Sequence, residues 1–134
     1  PPSFIRLNYA NGDMVGHTGD LRSTVMAVEA VDLQLGRLLQ EVERASGAAL
    51  VTADHGNADQ MFRVDKRSGD YLEEAFTAHT LNAVPLHLFD PVGRAGLRPD
   101  VAGQSLANVA ATALELLGRR APEDYARSLL ISGT

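Results

Sequence analysis

The chain has 134 residues, with 17 acidic and 12 basic side chains, so its formal net charge is −5. That length predicts one domain with a modest core, and the negative charge disfavours a nucleic-acid binder, which normally shows a basic footprint. No cysteine is present, which excludes disulfides, thiolate metal sites and cysteine nucleophiles. No apolar run approaches the ~20 residues of a membrane helix, so we expect no membrane partner.

The first residues, Pro1 to Phe4, contain neither a Met nor a charged-then-apolar leader. We therefore expect no signal peptide, and we expect the sequence to begin inside a longer chain. The lack of both cysteine and a leader is compatible with a cytoplasmic protein.

The first elements in chain order are predicted to be a short strand and a long helix. Residues 4–9 are β-prone and are followed by the turn signal Asn11-Gly12, which favours a strand. Hydrophobic residues then recur at spacings of three and four, which predicts a helix capped by Thr18 or Asp20 and ending before Gly47. One buried stripe of this helix would consist of Leu21, Val25, Val28, Val31, Leu35, Leu38, Leu39 and Val42.

The middle of the chain is predicted to form strands and a surface hairpin. The apolar run 48–53 is typical of a central strand that is covered on both faces. Residues 60–64 and 71–76 flank a polar turn and predict the hairpin. Residues 83–89 read as a further strand, in which Pro85 takes an edge or early position.

The last part of the chain is predicted to contain a loop over 90–104 and a second helix. Ser105 would cap this helix, Gly118 would close it, and Pro122 would start a short helix or turn. The order of elements predicts an α/β fold with a mostly parallel sheet flanked by helices. Because a central strand needs neighbours on both sides, the chain is expected to form part of a larger sheet.

Three histidines lie in polar segments at predicted strand or helix ends, where ligands bind in α/β sheets: His17, His55 and His79. Asp13 and His17 are four residues apart, so both can face one ion from a turn or a first helical turn. Asp54 and His55 end a buried strand, where two ionisable groups are costly to bury without a partner. Carboxylate oxygen with neutral imidazole suits Mn²⁺ or Zn²⁺ better than Ca²⁺.

Each of these patterns also has a non-functional interpretation. An Asp-Gly turn with a nearby histidine arises often by chance, and His79 alone would more often be a hydrogen-bonded surface residue. His87 lies within a predicted strand and is assigned a structural role with no metal. Asp59, Asp65 and Asp70 are expected to be solvated charges of the hairpin.

Taken together, several segments resemble the cofactor-independent phosphoglycerate mutases. The similarity follows the family's order over nearly the whole chain, through residues 8–19, 27–32, 52–59, 77–85, 114–118 and 128–130. The Asp-His-Gly segment alone is also similar to the wider alkaline-phosphatase-like superfamily, which includes phosphopentomutases and sulfatases.

The resemblance implies an alkaline-phosphatase-like fold and a site for two divalent ions, usually Mn²⁺, with Zn²⁺ or Mg²⁺ as alternatives. One ion would be held by Asp13, His17 and His79. The other would be held by Asp54 and His55, together with an Asp and a nucleophilic Ser from elsewhere. In this family the Ser accepts the phosphate of phosphoglycerate and returns it to the other hydroxyl. Two cations would neutralise phosphoryl oxygens and lower the pKa of the nucleophile.

The family's chain is several times longer, and its nucleophilic Ser, its first metal-binding Asp and its inserted substrate domain have no counterpart here. We therefore expect residues 1–134 to be the C-terminal segment of the metal-binding phosphatase-like domain, with no catalytic residue of its own. Its partners would be phosphoglycerate, in the full-length enzyme, and the remainder of its own chain. The segment alone is expected to lack mutase activity.

Two alternatives to a mutase remain open at this point. The first is a fragment of a metal-dependent phosphohydrolase or a phosphopentomutase-like enzyme of the same superfamily. The second is a non-catalytic α/β module in which the Asp and His residues only form turns.

Overall fold

The structure is a computed structural model that describes residues 3–98 and 101–132. These residues divide into two compact units, one built from residues 7–38 and 53–85 and the other from the described parts of 1–6, 39–52 and 86–134. In chain order the elements are α1 (Asn11–Gly16), α2 (Leu21–Arg44), β1 (Ala49–Thr52), β2 (Phe62–Val64), β3 (Tyr71–Ala75), β4 (Leu86–Phe89), β5 (Ala95–Leu97), α3 (Ala107–Leu116) and β6 (Leu130–Ser132).

The helix α2 is the one that the hydrophobic spacing predicts, and both of its ends form as expected. The backbone N–H of Ser23 donates to Asp20 Oδ1 at 2.6 Å, so Asp20 satisfies one of the free N–H groups of the first turn. At the other end, the Gly47 N–H donates to the Val42 carbonyl at 2.8 Å. Ser46, between them, adopts a left-handed φ of 51°. The predicted start and end of this helix are confirmed.

The apolar stripe of α2 is less buried than its spacing predicts. Leu21, Val25 and Val28 are exposed, and the members from Val31 onward are only half-buried. The buried residue of this helix is Thr24. The spacing identifies the apolar face but not the surface that covers it, so the prediction of a buried stripe is wrong for the described residues. Neither α2 nor another helix in the described ranges is long and apolar enough to cross a membrane.

The predicted surface hairpin is present as β2 and β3. The two strands pair antiparallel, with Phe62 opposite Ala75. In the connecting turn, the backbone N–H of Arg67 donates to Asp65 Oδ1 at 2.7 Å. Asp65 is half-buried and is a hydrogen-bonded part of the hairpin turn, whereas Asp70 is exposed as expected.

The other unit contains two antiparallel strand pairs. Leu50 of β1 lies opposite Leu88 of β4, and Gly96 of β5 lies opposite Ile131 of β6. The strand predicted over 83–89 is present as β4, but it begins at Leu86, so Pro85 lies directly before the strand and not at an early position within it. The short strands β5 and β6 have three residues each and no periodic signal that would predict them.

The turn before β5 is organised by Asp90, in a region predicted to be loop throughout. Its Oδ2 accepts the backbone N–H groups of Arg94 and Ala95 at 2.7 and 3.0 Å. Burial raises the pKa of the Asp90 carboxyl, but hydrogen bonds from Arg94 and Ala95 outweigh burial and hold that pKa below its ordinary value. The segment is thus a turn followed by a strand, with positions 99 and 100 of the predicted loop outside the described residues.

The second predicted helix is present as α3, but the predicted Ser105 cap is wrong. The N-terminal cap residue is Leu106, without a side-chain capping hydrogen bond. Ser105 Oγ only accepts the backbone N–H of Ala107 at 3.3 Å in the preceding turn. Gly118 closes the helix in a left-handed conformation with φ of 67°. The segment from Pro122 forms a turn in which the Tyr125 N–H donates to the Pro122 carbonyl at 3.2 Å.

The core of this unit lies where α3 packs against β6 and the residue before it. Ala111, Leu129 and Leu130 are buried, and Thr112 is fully buried among them. The Thr112 hydroxyl donates to the Asn108 carbonyl at 2.7 Å and accepts the Leu129 N–H at 2.9 Å. The Thr112 side chain therefore provides the acceptor for the buried backbone N–H of Leu129.

The sheet predictions need correction for the described residues. Residues 4–9 form no strand, and the prediction there is wrong, since Phe4, Ile5 and Leu7 are exposed without a partner strand. The strand β1 pairs only with β4, so it is not central here, and all three described pairs are antiparallel. Two parallel strands need a crossover connection, which is usually a helix. Residues 53–85, which connect β1 to β4, contain no helix. The mixed α/β class itself is confirmed.

The cap of α2 predicts a pH-dependent loss of stability in Asp20→Ala. The hydrogen bond to the Ser23 side chain, followed by that to the Ser23 backbone, lowers the pKa of Asp20 in the folded chain. Its stabilising effect is then complete above the unfolded-state pKa of ~3.9 and is lost as the pH falls through the lower folded-state value. We expect Asp20→Ala to lower the Tm by about 2–5 °C at pH 7 and by less at pH 3, as followed by circular dichroism. An unchanged Tm at pH 7 would contradict the assignment of this cap.

The buried hydroxyl of Thr112 predicts that Thr112→Val destabilises the chain although its shape is retained. The substitution leaves the Leu129 N–H without an acceptor, which costs about 1–3 kcal/mol. Thr112→Ser keeps the hydroxyl and loses only a methyl group, so we expect a loss of about 1 kcal/mol. Urea unfolding would measure both, and a Val variant as stable as the parent would exclude this role for the hydroxyl.

Candidate metal centre

The helix α1 places Asp13 and His17 on one side of a single turn. Asp13 lies within the helix and His17 is its C-terminal cap, whose N–H donates to the Asp13 carbonyl at 3.1 Å. Residues four apart on a helix share a face, so the two side chains point the same way. The sequence predicts a turn around Asn11-Gly12, and the structure instead shows those residues starting the helix.

His79 joins these two side chains from the loop of residues 77–82, referred to below as the 77–82 loop. His79 Nε2 lies 3.0 Å from Asp13 Oδ1 and 3.1 Å from His17 Nε2, and the remaining pair, His17 Nε2 and Asp13 Oδ1, is 3.3 Å apart. Ligand atoms that share an ion at ~2.1 Å are separated by about 3.0–3.4 Å. The three atoms therefore have the spacing that one divalent ion requires, and their mixed oxygen and nitrogen chemistry fits such an ion.

The His17 imidazole is held in the orientation that metal binding needs. Its Nδ1 donates to the backbone carbonyl of Thr77 at 2.6 Å. With the proton on Nδ1, the Nε2 atom keeps its lone pair toward Asp13 and His79. Backbone carbonyls that fix the second nitrogen of a histidine in this way are typical of metal ligands.

Asn57 supports Asp13 from the loop of residues 54–59, referred to below as the 54–59 loop. The residue is 4% exposed, and its amide Nδ2 donates to Asp13 Oδ1 at 3.2 Å. The amide packs against Gly16, where a Cβ atom would collide with it. No described residue donates to the buried Asn57 Oδ1. The sequence alone predicts no role for Asn57, and the only signal was its place directly after the Asp-His-Gly run.

The two residues predicted for a second ion, Asp54 and His55, lie in different environments. The His55 ring stacks on the His79 ring, with 3.7 Å between centroids and 21° between planes. The Asp54 side chain is 90% exposed, and its Oδ1 lies 3.7 Å from His55 Nε2. Among the described residues, Asp13, His17 and His79 bring their ligand atoms close enough together to hold one ion. Neither Asp54 nor His55 belongs to this group. Their role at a second ion stays a prediction.

Asp59 has a different environment from the one that the sequence predicts. Asp59 Oδ2 accepts the Thr80 hydroxyl at 3.0 Å and the Asn82 amide at 2.6 Å. Asp59 lies outside the β2–β3 hairpin, and its carboxylate links the 54–59 loop to the 77–82 loop. Asp59 is exposed, as predicted for a solvated charge, but its predicted place in the hairpin is wrong. His87, by contrast, lies in β4 as predicted and is exposed.

Comparison with known proteins identifies relatives of this chain. Residues 2–121 match the metalloenzyme superfamily. A probable 2,3-bisphosphoglycerate-independent phosphoglycerate mutase of Leptospira interrogans is 45% identical over 95% of this chain and 24% of its own length. The 2,3-bisphosphoglycerate-independent phosphoglycerate mutase of Trypanosoma brucei brucei is 46% identical, again over 95% of this chain and 24% of its own.

A solved structure shows the same likeness in three dimensions. Leishmania mexicana phosphoglycerate mutase at low cobalt concentration superposes with a TM-score of 0.87 at 45% identity, over 96% of this chain and 25% of its own. The chain thus spans about a quarter of the length of the relatives it matches. These relatives confirm the resemblance to cofactor-independent phosphoglycerate mutases, and the match over residues 2–121 establishes that the chain belongs to the metalloenzyme superfamily.

Proposed function

We propose that this chain supplies the metal-binding part of a phosphoglycerate mutase that interconverts 3-phosphoglycerate and 2-phosphoglycerate. The observation that carries this proposal is the convergence of Asp13 Oδ1, His17 Nε2 and His79 Nε2 within 3.0–3.3 Å of one another. The relatives named as phosphoglycerate mutases support the same conclusion. The phosphoserine-forming nucleophile would come from the part of the enzyme that this chain does not match.

The residues of the site are suited to hold a divalent ion that attracts phosphate. Asp13 contributes one negative charge, and the two imidazoles bind as neutral ligands. A divalent ion held this way would keep an excess positive charge, with which it would neutralise phosphoryl oxygens and lower the pKa of a serine hydroxyl. The Thr77 carbonyl orients His17 and the Asn57 amide orients Asp13, so both side chains are fixed before binding.

We further propose that the preferred ion is Mn²⁺ and that Asp54 and His55 take part in binding a second ion. One carboxylate and two imidazoles accept Mn²⁺, Zn²⁺ and Co²⁺, and the Leishmania mexicana enzyme was crystallised at low cobalt concentration. The stack of His55 on His79 brings the second pair next to the first group. A second ion would need further ligands, which the resemblance assigns to an Asp and the nucleophilic Ser elsewhere.

A second candidate function is that of a metal-dependent phosphohydrolase or a phosphopentomutase-like enzyme. The superfamily match supports it, because residues 2–121 match the metalloenzyme superfamily as a whole. The non-catalytic module is disfavoured, since turn-forming residues alone would have no reason to converge their ligand atoms. A glycolytic mutase would act in the cytoplasm on phosphoglycerate, with residues 1–134 forming the C-terminal segment of its phosphatase-like domain.

The metal centre predicts that His79→Ala binds Co²⁺ and Mn²⁺ more weakly than the parent chain. Loss of one ligand of three should lower the affinity by more than about 100-fold, since even residues behind the ligands change it 10–100-fold. Isothermal titration calorimetry would measure the affinity, with His87→Ala as the matched control because His87 is an exposed histidine outside the site. Equal binding by the His79→Ala and His87→Ala chains would remove the assignment.

The mutase assignment predicts that residues 1–134 can replace the matching quarter of the Leptospira relative. An enolase-coupled assay would follow formation of 2-phosphoglycerate by this chimera, and phosphate release would report a phosphohydrolase. We expect mutase activity within about tenfold of the intact relative, and at least a 100-fold loss when His79→Ala is added, because a ligand is removed. A folded, metal-loaded chimera that releases phosphate or is inactive would argue against the mutase.

A further inference from the structure

The 54–59 loop and the 77–82 loop are joined beside the candidate metal centre. The Thr80 N–H donates to the Gly56 carbonyl at 2.9 Å, which forms an isolated antiparallel bridge. Each residue of this bridge directly follows a histidine, since His55 precedes Gly56 and His79 precedes Thr80. The two imidazoles stack on each other next to the bridge. Whatever fixes the bridge therefore also limits where the His79 ring can lie.

The Asp59 carboxylate is the group that locks this bridge. Its Oδ2 accepts the Thr80 hydroxyl at 3.0 Å and the Asn82 amide at 2.6 Å, so one carboxylate binds two residues of the 77–82 loop. Hydrogen bonds to an ionised acceptor are stronger than those between neutral groups. Thr80 is 8% exposed, which shields its contact from water.

The two loops are in close contact at Gly56. A Cβ atom on Gly56 would collide with both the Thr80 hydroxyl and the Asp59 carboxylate. The three residues are therefore in direct contact, and the absence of a side chain at position 56 is what permits it.

We propose that Asp59 is a positioning residue that holds the 77–82 loop, and with it the His79 imidazole, in place for metal binding. Asp59 is not one of the three candidate ligands found among the described residues, which are Asp13, His17 and His79. It acts on His79 through Thr80 and Asn82. The inference rests on the proposed metal centre, and it assigns a function to a carboxylate that the sequence predicts to be a solvated charge.

The first test uses the metal-free chain and therefore does not depend on the metal centre. The ring contact predicts strong nuclear Overhauser effects between the imidazole protons of His55 and His79 in the parent chain. We expect them to disappear in Asp59→Ala and in Thr80→Val. Asp70→Ala is the matched control, because Asp70 is an exposed aspartate of the same unit. Effects that persist in a folded Asp59→Ala chain, or that are absent from the parent, would overturn the inference.

The second test measures Co²⁺ binding by calorimetry and by visible absorption. We expect Asp59→Ala to lower the Co²⁺ affinity about 10–100-fold, as substitutions of residues that orient metal ligands do. We expect Asp70→Ala to leave the affinity unchanged. The Co²⁺ spectrum at saturation should match that of the parent, since Asp59 is not a ligand. A changed spectrum would make Asp59 a ligand and overturn its positioning role.

A double-mutant cycle tests whether Asp59 acts through Thr80. Thr80→Val should weaken Co²⁺ binding as Asp59→Ala does, and the double variant should be no weaker than either one, because both remove the same contact. Asp59→Asn keeps a carbonyl acceptor and should recover most of the affinity. Additive losses would overturn the proposed route. Failure of the parent to bind Co²⁺ would overturn the metal centre, whereas equal binding by the parent and Asp59→Ala would overturn this inference alone.

Discussion

Asp13 and His79 are 66 positions apart in the chain, so their contact depends entirely on tertiary interactions. The 54–59 loop provides these interactions, because it contacts both Asp13 and the neighbour of His79. Asn57 donates to Asp13, and Gly56 accepts from Thr80, the neighbour of His79. Because a site that is loose by about 1 Å no longer coordinates well, these hydrogen bonds decide whether the three ligand atoms can share one ion.

The site is open, which fits the proposed role of a metal centre that binds a phosphorylated substrate. The side chains of Asp13, His17 and His79 are 34%, 42% and 49% exposed. Two of their supports, Asn57 and Thr80, are more buried than they are, at 4% and 8% exposed. Exposed ligands that are held partly by buried side chains combine access from solvent with a fixed geometry, as catalytic metal sites with an open coordination position require.

The sequence predicts the spacing of Asp13 and His17 and the long helix well, because both depend on local signals. The spacing of Asp13 and His17 survives the change from a predicted turn to the helix α1, since four residues bring both side chains to one face in either case. The start of α2 at Asp20 follows from the chemistry of one capping side chain. His79 has no such local signal, and its place in the site came from the family resemblance.

Sheet pairing and polar support could not be predicted in the same way. Residues 4–9 have the composition of a strand but no partner among the described strands, and a strand exists only through its partner. The roles of Asn57 and Asp59 depend on which donors face them, and those donors are many residues away in the chain. An amide or a carboxylate in a polar loop looks the same in a sequence whether it is solvated or supports a ligand.

An anomalous-scattering map of crystals of this chain grown with Co²⁺ would test the metal centre most directly. A peak about 2.1 Å from Asp13 Oδ1, His17 Nε2 and His79 Nε2 is the expected result. A cobalt ion bound elsewhere, with these three atoms uncoordinated, would contradict the assignment of the site.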